Sequence, residues 1–180
     1  MIATERLRLP PWTDAYRLPA ARMNADPAVM HWFPATMSRA ETDAQIDRQI
    51  ALLDRRGFTF WPVIRRIDDC FLGIAGLKEG AAGTPVEGVV EIGWRFAAHA
   101  WGQGYATEAA RAALAHGFAD PAVARIGAIT AAGNTASSRL MERLGMRRDP
   151  AGDFAHPLVP PGHRACRHVT FFIDRGEQQT

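Results

Sequence analysis

The sequence predicts a mixed α/β fold: a central, mostly antiparallel sheet of six or seven strands with helices on both faces. Three observations predict it. Apolar, β-rich runs of strand length recur at 58–67, 70–77, 89–96, 125–131 and 168–173. Between them lie two stretches with helical punctuation, Ser38 to Gly57 and Tyr105 to about Phe118. The runs 58–67 and 70–77 are separated only by Asp68-Asp69, which reads as a hairpin and therefore as antiparallel pairing.

Composition sets the outer bounds. At 180 residues the chain reads as one domain, 1–180, large enough to bury roughly 70% of its unfolded surface. The net charge of +2 makes no electrostatic case for nucleic acid. Cys70 and Cys166 have no spacing that implies a disulfide or zinc site. No run approaches about 18 apolar residues and the N-terminus has no signal pattern. The expectation is a cytoplasmic chain with no membrane partner and no metal.

Taken in order, Leu7-Arg8-Leu9 alternates and then meets Pro10-Pro11, so it reads as a short first strand. Thr13 and Asp14 open a helical stretch, and Pro19 inside it predicts two short helices rather than one. Asp26-Pro27 reads as an N-cap followed by proline, with a helical turn or two from Ala28 to Trp32. Trp32 and Phe33 serve either the core or the wall of a pocket. Ser38-x-x-Glu41 is a capping box, and the helix it opens carries Ile46, Ile50 and Leu53 on one face and ends at Gly57. Pro62 places the next strand at an edge or bulge. Residues 79–88 hold three glycines and a proline and form a loop. Gly93, inside the strand 89–96, predicts a bulge or a close approach by a ligand. In the helix after Tyr105, Ala106, Ala109, Ala110, Ala113 and Phe118 share a face, where small residues permit close packing on the sheet. Arg125 to Ala131 is a strand. Asn134 and Gly145 suit the two caps of a further helix. Met146-Arg147-Arg148 starts a strand, 153–163 is a polar loop, and His168 to Ile173 closes the sheet. His156, His163, Cys166 and His168 fit no zinc pattern; His156 or His163 either contacts substrate or only hydrogen-bonds the loop.

The stretch with chemistry in it is Trp101-Gly102-Gln103-Gly104-Tyr105-Ala106-Thr107. Two glycines sit between a strand and a helix, where the backbone can approach a ligand closely. The first amides of the helix have no internal acceptor, and they and the helix dipole favour a phosphate. A P-loop would need Lys and Ser or Thr after the second glycine, and Tyr105 and Ala106 stand there. A dinucleotide fingerprint would need glycine at Thr107 and an acid at the end of a second strand, where Ile126 to Thr130 offers none.

The remaining reading is by resemblance. Gly104 and Ala106 match the Q/R-x-x-G-x-G/A acyl-coenzyme A loop of the GNAT superfamily of N-acetyltransferases, with Trp101 in place of Gln or Arg. WGQGYATEA and the opening Thr4-Glu5-Arg6-Leu7-Arg8-Leu9 resemble the ribosomal-protein N-terminal acetyltransferase branch. Asn134-Thr135-Ala136-Ser137 followed by Leu144-Gly145-Met146 resembles that family's N-x-x-S/A…L-G-F helix, with Met146 in place of Phe. The resemblance implies a GNAT-like fold with a splayed strand pair. It implies acetyl-CoA as acetyl donor, its pyrophosphate on Trp101, Gly102, Gln103, Gly104, Tyr105, Ala106 and Thr107. The pantetheine would pair with the backbone of Trp94, Arg95 and Phe96, with Asn134 and Ser137 also in contact. Met141 stands where many members carry a tyrosine general acid, and Ser137 is the substitute the resembled branch suggests. Glu91 lies near the usual glutamate base, with Glu87 in reserve.

The implied reaction is direct acetyl transfer to a primary amine. A lysine amine near pKa ~10.4 is neutral in less than about one part in a thousand at neutral pH, and an α-amine near ~8 in roughly a tenth. One carboxylate acting through water therefore suffices for an α-amine, and a protein or peptide N-terminus is the first expectation for the acceptor. A small-molecule amine, or a non-catalytic acyl-CoA-binding module, is the alternative; whether the chain forms a homodimer is left open.

Overall fold

The computed structural model describes residues 1–177. Eight strands form one sheet: β1 (Ile2–Ala3), β2 (Leu7–Leu9), β3 (Phe60–Arg65), β4 (Phe71–Glu79), β5 (Val90–Phe96), β6 (Arg125–Ala131), β7 (Arg147–Ala155) and β8 (Arg167–Asp174). Their order is β1-β2-β3-β4-β5-β6-β8-β7. Every neighbouring pair is antiparallel except β5 and β6, which run parallel. The sheet exceeds the expected six or seven strands because Ile2–Ala3 turns back onto Arg8 and Leu9. No helix among the described residues is long and apolar enough to cross a membrane.

Four α-helices cover the sheet: α1 (Asp14–Asn24), α2 (Arg39–Arg56), α3 (Tyr105–Ala119) and α4 (Thr135–Arg143). Trp12, Ala20, Met23 and Ile46 pack with Ile64, Phe71 and Ile74 on the face covered by α1 and α2. On the opposite face Ala109, Ala110, Ala113, Leu114 and Phe118 of α3 join Leu72, Leu77, Ile92, Ile126 and Phe171. The alanines, all fully buried, let α3 lie close to the sheet. The capping box of α2 is complete: Ser38 accepts from the Glu41 amide and Glu41 from the Ser38 amide.

Five local expectations are corrected. Pro19 does not split α1, which runs through it. Ala20 and Met23 are buried beyond it, and Arg17 before it bonds Asp14 and Asp47, so packing onto α2 holds both halves in line. Residues 28–32 form linked turns rather than a helix: the Asp26 carboxylate accepts from the Ala28 amide, and the Phe33 amide reaches Met30. Trp32 instead lies against Gly133, where a β-carbon would stand 2.6 Å from its ring. The turn between β3 and β4 is longer than two residues. Asp69 takes the left-handed conformation (φ 56°) that glycine usually supplies, and Asp68 binds both Arg65 and the Cys70 amide. Gly93 makes no bulge, since β4 and β5 keep register from Gly73–Phe96 to Glu79–Val90. It is glycine because the Phe60 ring fills its side-chain position, 2.9 Å from a built β-carbon. Finally, Asp153 to Ala155 belong to β7, and the loop is 156–166. A register break between Asp149 and Phe154 is bridged by the Thr170 hydroxyl, which donates to the Gly152 carbonyl at 2.6 Å.

Candidate active site

The glycine loop is anchored by side-chain donors, while the main-chain amides of Gly102, Gln103 and Gly104 are left without acceptors among the described residues. Trp101 Nε1 donates to the Phe96 carbonyl (2.8 Å), Gln103 Nε2 to that of His99 (2.8 Å) and Arg6 Nη1 to that of Gln103 (3.0 Å). Gly102 (φ 72°) and Gly104 (φ 80°) are both left-handed, which turns the chain abruptly into α3. Among the described residues the amides of Gly102, Gln103 and Gly104 donate to nothing, and those of Tyr105, Ala106 and Thr107 fall in the first helical turn. Six consecutive donors at a helix N-terminus form an anion cradle. Tyr105 is buried as the first residue of α3, whereas Trp101 is 50% exposed beside the loop.

The N-terminal segment fastens this cradle, a feature that sequence reasoning missed. Glu108, in the first turn of α3, accepts from Thr4 Oγ1 (2.6 Å), the Arg6 amide (2.9 Å) and Arg6 Nε (2.7 Å). The Arg6 guanidinium also lies 4.7 Å from the Tyr105 ring centroid. Burial would raise the Glu108 carboxyl, but its bonds to Thr4 and Arg6 more than offset this and hold it below the usual carboxylate range. The partners are about a hundred residues apart, so no local spacing announces them.

Beside the loop the sheet opens. β5 and β6 pair only at Val90–Ile126 and Glu91–Gly127. From Ile92 to Phe96, β5 is bonded to β4 on one side and has no strand partner on the other among the described residues. The backbone of Trp94, Arg95 and Phe96 borders this gap, which leads from the cradle into the sheet. The splay exists without the bulge expected at Gly93.

Cross-strand pairing sorts the β5 side chains. Ile92, Trp94 and Phe96 belong to the α3 face. Glu91, Gly93 and Arg95, opposite Lys78, Gly76 and Ile74, belong to the α1–α2 face. Glu91 is only 6% exposed and pairs with Lys78 Nζ at 2.8 Å. Burial pushes its carboxyl above the usual range, with Lys78 and the Ala81 amide opposing. A carboxylate of raised basicity beside the splay suits proton abstraction. Glu87 is exposed and only closes its loop by accepting from the Gly83 amide. Also on this face, Arg95 donates from Nη1 to Asn24 Oδ1 at 2.6 Å and stacks over Phe33 at 4.2 Å. The sequence reading gave Arg95 only a backbone role.

Across the gap, Asn134 caps α4: its Oδ1 accepts from the Ser137 amide (3.3 Å), and its Nδ2 donates to Thr130 Oγ1 (3.1 Å) and Ser137 Oγ (3.0 Å). Both amide protons of Asn134 are therefore engaged within the protein, leaving one carbonyl lone pair for a ligand. Ser137 Oγ accepts one bond, so its own proton is free to be donated. Met141 is buried in the core. His156 and His168 lie 4.7 Å apart beside Phe154, both held below the usual imidazole range, first by burial. His163 accepts from the Ala165 amide. No cluster of potential metal ligands occurs among the described residues.

Comparison with known proteins agrees with this fold. Residues 6–147 match the model of the acetyltransferase (GNAT) domain family. An uncharacterized N-acetyltransferase of Bacillus subtilis, YnaD, is 38% identical over 104 residues, 57% of this chain and 56% of that one. The crystal structure of a GNAT-family acetyltransferase from Bacillus anthracis superposes with a TM-score of 0.79 at 26% identity, covering 96% of this chain and 97% of that one. RimL, a ribosomal L7/L12 α-N-protein acetyltransferase solved with coenzyme A, superposes at 0.75 over 95% of each chain. At 15% identity that last likeness is one of fold.

Proposed function

The chain belongs to the GNAT acetyltransferase family and is an acetyl-CoA-dependent N-acetyltransferase; from that premise we propose that its acceptor is the α-amine of a protein, a peptide or a related small molecule. The buried Glu91 carries this reading. A single carboxylate of raised basicity is a sufficient base for an α-amine, which is already partly neutral at physiological pH. The match to residues 6–147, with β8 seated between β6 and β7, supports treating the chain as one such domain.

The residues divide the work as follows. The amides from Gly102 to Thr107 hold the pyrophosphate of acetyl-CoA, and the free edge of β5 at Trp94, Arg95 and Phe96 aligns the pantetheine along the gap. A free β5 amide faces the thioester oxygen and stabilises its developing charge. Glu91, through water, takes a proton from the ammonium. The freed nitrogen attacks the thioester carbon, forming the C–N bond as the C–S bond breaks. The nitrogen sheds a second proton to solvent, and Ser137 Oγ gives its proton to the departing sulfur and recovers one from water. Products are the acetamide and coenzyme A thiol, with no covalent enzyme intermediate.

Purified protein, acetyl-CoA and a panel of amines, followed by thiol release, test this. Turnover is expected on free α-amines and not on N-blocked, lysine-only peptides; turnover confined to polyamines or lysine side chains overturns the acceptor assignment. A second reading, a binding module without catalysis, draws on Met141, which supplies no hydroxyl where many members carry tyrosine. Acetyl-CoA binding without turnover of any amine would establish it.

A further inference from the structure

The α1–α2 face holds a cation with no counter-charge. Arg95 forms no salt bridge among the described residues. Its Nε is buried and has no hydrogen-bond partner. Nη1 is occupied by Asn24 Oδ1 at 2.6 Å, and Phe33 covers the guanidinium plane. That leaves the Nε–Nη2 edge, whose two parallel N–H groups match the two oxygens of a carboxylate.

The arrangement around it is fixed. Asn24 is 1% exposed, and its Nδ2 is held by Thr42 Oγ1 (3.2 Å) and Gln45 Oε1 (3.4 Å), which turns Oδ1 toward Arg95. A neutral amide thus orients the guanidinium without cancelling its charge. Burial lowers the Arg95 pKa to about 10, so it stays charged at neutral pH.

Arg95 shares its face of β5 with Glu91, four residues away, or about 13 Å along the strand. Gly93 lies between them, and the ring of Phe60, from β3 beyond β4, occupies its side-chain position. One end of this track carries the base and the other the unpaired cation.

We propose that Arg95 receives a carboxylate carried by the acceptor, so that the substrate is an amine bearing an acid a few bonds away. This rests on the acetyltransferase reading above. Two sources supply that chemistry: the α-carboxylate of a free amino acid, or an acidic side chain close to a peptide N-terminus.

The experiment pairs acceptors that differ only in the acid. Free amino acids are compared with their carboxamides, and Ser-Glu-Ala-amide with Ser-Gln-Ala-amide, by kcat/KM with saturating acetyl-CoA. In the productive pair the acid is preferred by at least about a hundredfold. Arg95→Met abolishes that preference by lowering kcat/KM on the acid-bearing member, with the acetyl-CoA Kd measured alongside. Arg95→Lys keeps the charge but not the fork and retains part of the preference. Preference for the first pair identifies an amino-acid substrate, and for the second an acidic N-terminus. Equal rates within every pair overturn the proposal, as does an Arg95→Met protein that loses acetyl-CoA affinity, which would make Arg95 a cofactor contact. If no amine turns over although acetyl-CoA binds, the catalytic reading fails separately. Calorimetry with N-acetyl amino acids and their amides then decides the site: Arg95-dependent binding of the acids sustains it, and equal binding overturns it.

Discussion

The open edge of β5 and its α1–α2 face are built in opposite ways. On the loop and gap side the groups available to a ligand are main-chain amides, from Gly102 to Thr107 and along Ile92 to Phe96. On the α1–α2 side they are side chains, namely Glu91 with Lys78 and Arg95 with Asn24. A main-chain site needs glycines and a helix start but few particular side chains, so it can be shared across a family that binds one cofactor. A side-chain site can differ from chain to chain, which would suit the acceptor side proposed above.

Four substitutions press on that contrast, beginning with the largest effect. Glu91→Gln should reduce kcat by about a thousandfold with an unchanged coenzyme A Kd. The pH profile adds a sign. Because the Glu91 carboxyl is raised, it loses basicity as pH falls, below the acceptor amine's own pKa near ~8. In the wild type, where Glu91 itself deprotonates the bound ammonium, log(kcat/KM) therefore stays level on acidification until Glu91 protonates and then falls with slope one, whereas the variant, which needs free amine from solution, falls with slope one from the amine's pKa downward. A variant that kept the level region would remove Glu91 as the base. Gly104→Val, forced into a left-handed conformation beside Arg6, should weaken coenzyme A binding by roughly a hundredfold in calorimetry. Unchanged affinity would remove the loop amides from the cofactor site. Ser137→Ala should lower kcat by roughly tenfold, at or below the small end of general-acid effects, because solvent can also protonate the thiolate. No loss would reduce Ser137 to part of the α4 cap.

Glu108→Gln should have the smallest effect, a loss of about 1–2 kcal/mol and a few degrees in Tm, with several-fold weaker coenzyme A binding. Glu108 is held below its usual pKa, so its contribution is complete above the unfolded value and is lost as pH falls through the folded one. The Tm gap between wild type and variant should close on acidification. A gap that widens in acid would contradict the pairing with Arg6.

The same contrast explains what could be read in advance. The glycine loop, the capping box of α2 and the β6 strand depend on local residue choice, and they appear where the sequence places them. Pro19 and Gly93 misled because their local preferences were overridden, by α1 packing on α2 and by the Phe60 ring. The turns at 28–32 are held by Asp26 and Met30, and beside them Trp32 meets Gly133, a contact between distant segments that no local pattern announces. Arg95 was legible only as backbone, because its importance lies in the partner it lacks, and Asn24, 71 positions away, gives no hint of that in sequence.

The short joint between β5 and β6 has a mechanical corollary. Among the described residues two residue pairs, at Val90–Glu91, are the whole of the strand pairing between a block of five strands and a block of three. An extended ligand lying along the gap would act as a further rung and brace the blocks against one another. Hydrogen exchange should therefore slow on coenzyme A addition chiefly in β5 and β6 and little in the β3–β4 hairpin, so that the substrate completes the framework on which it reacts.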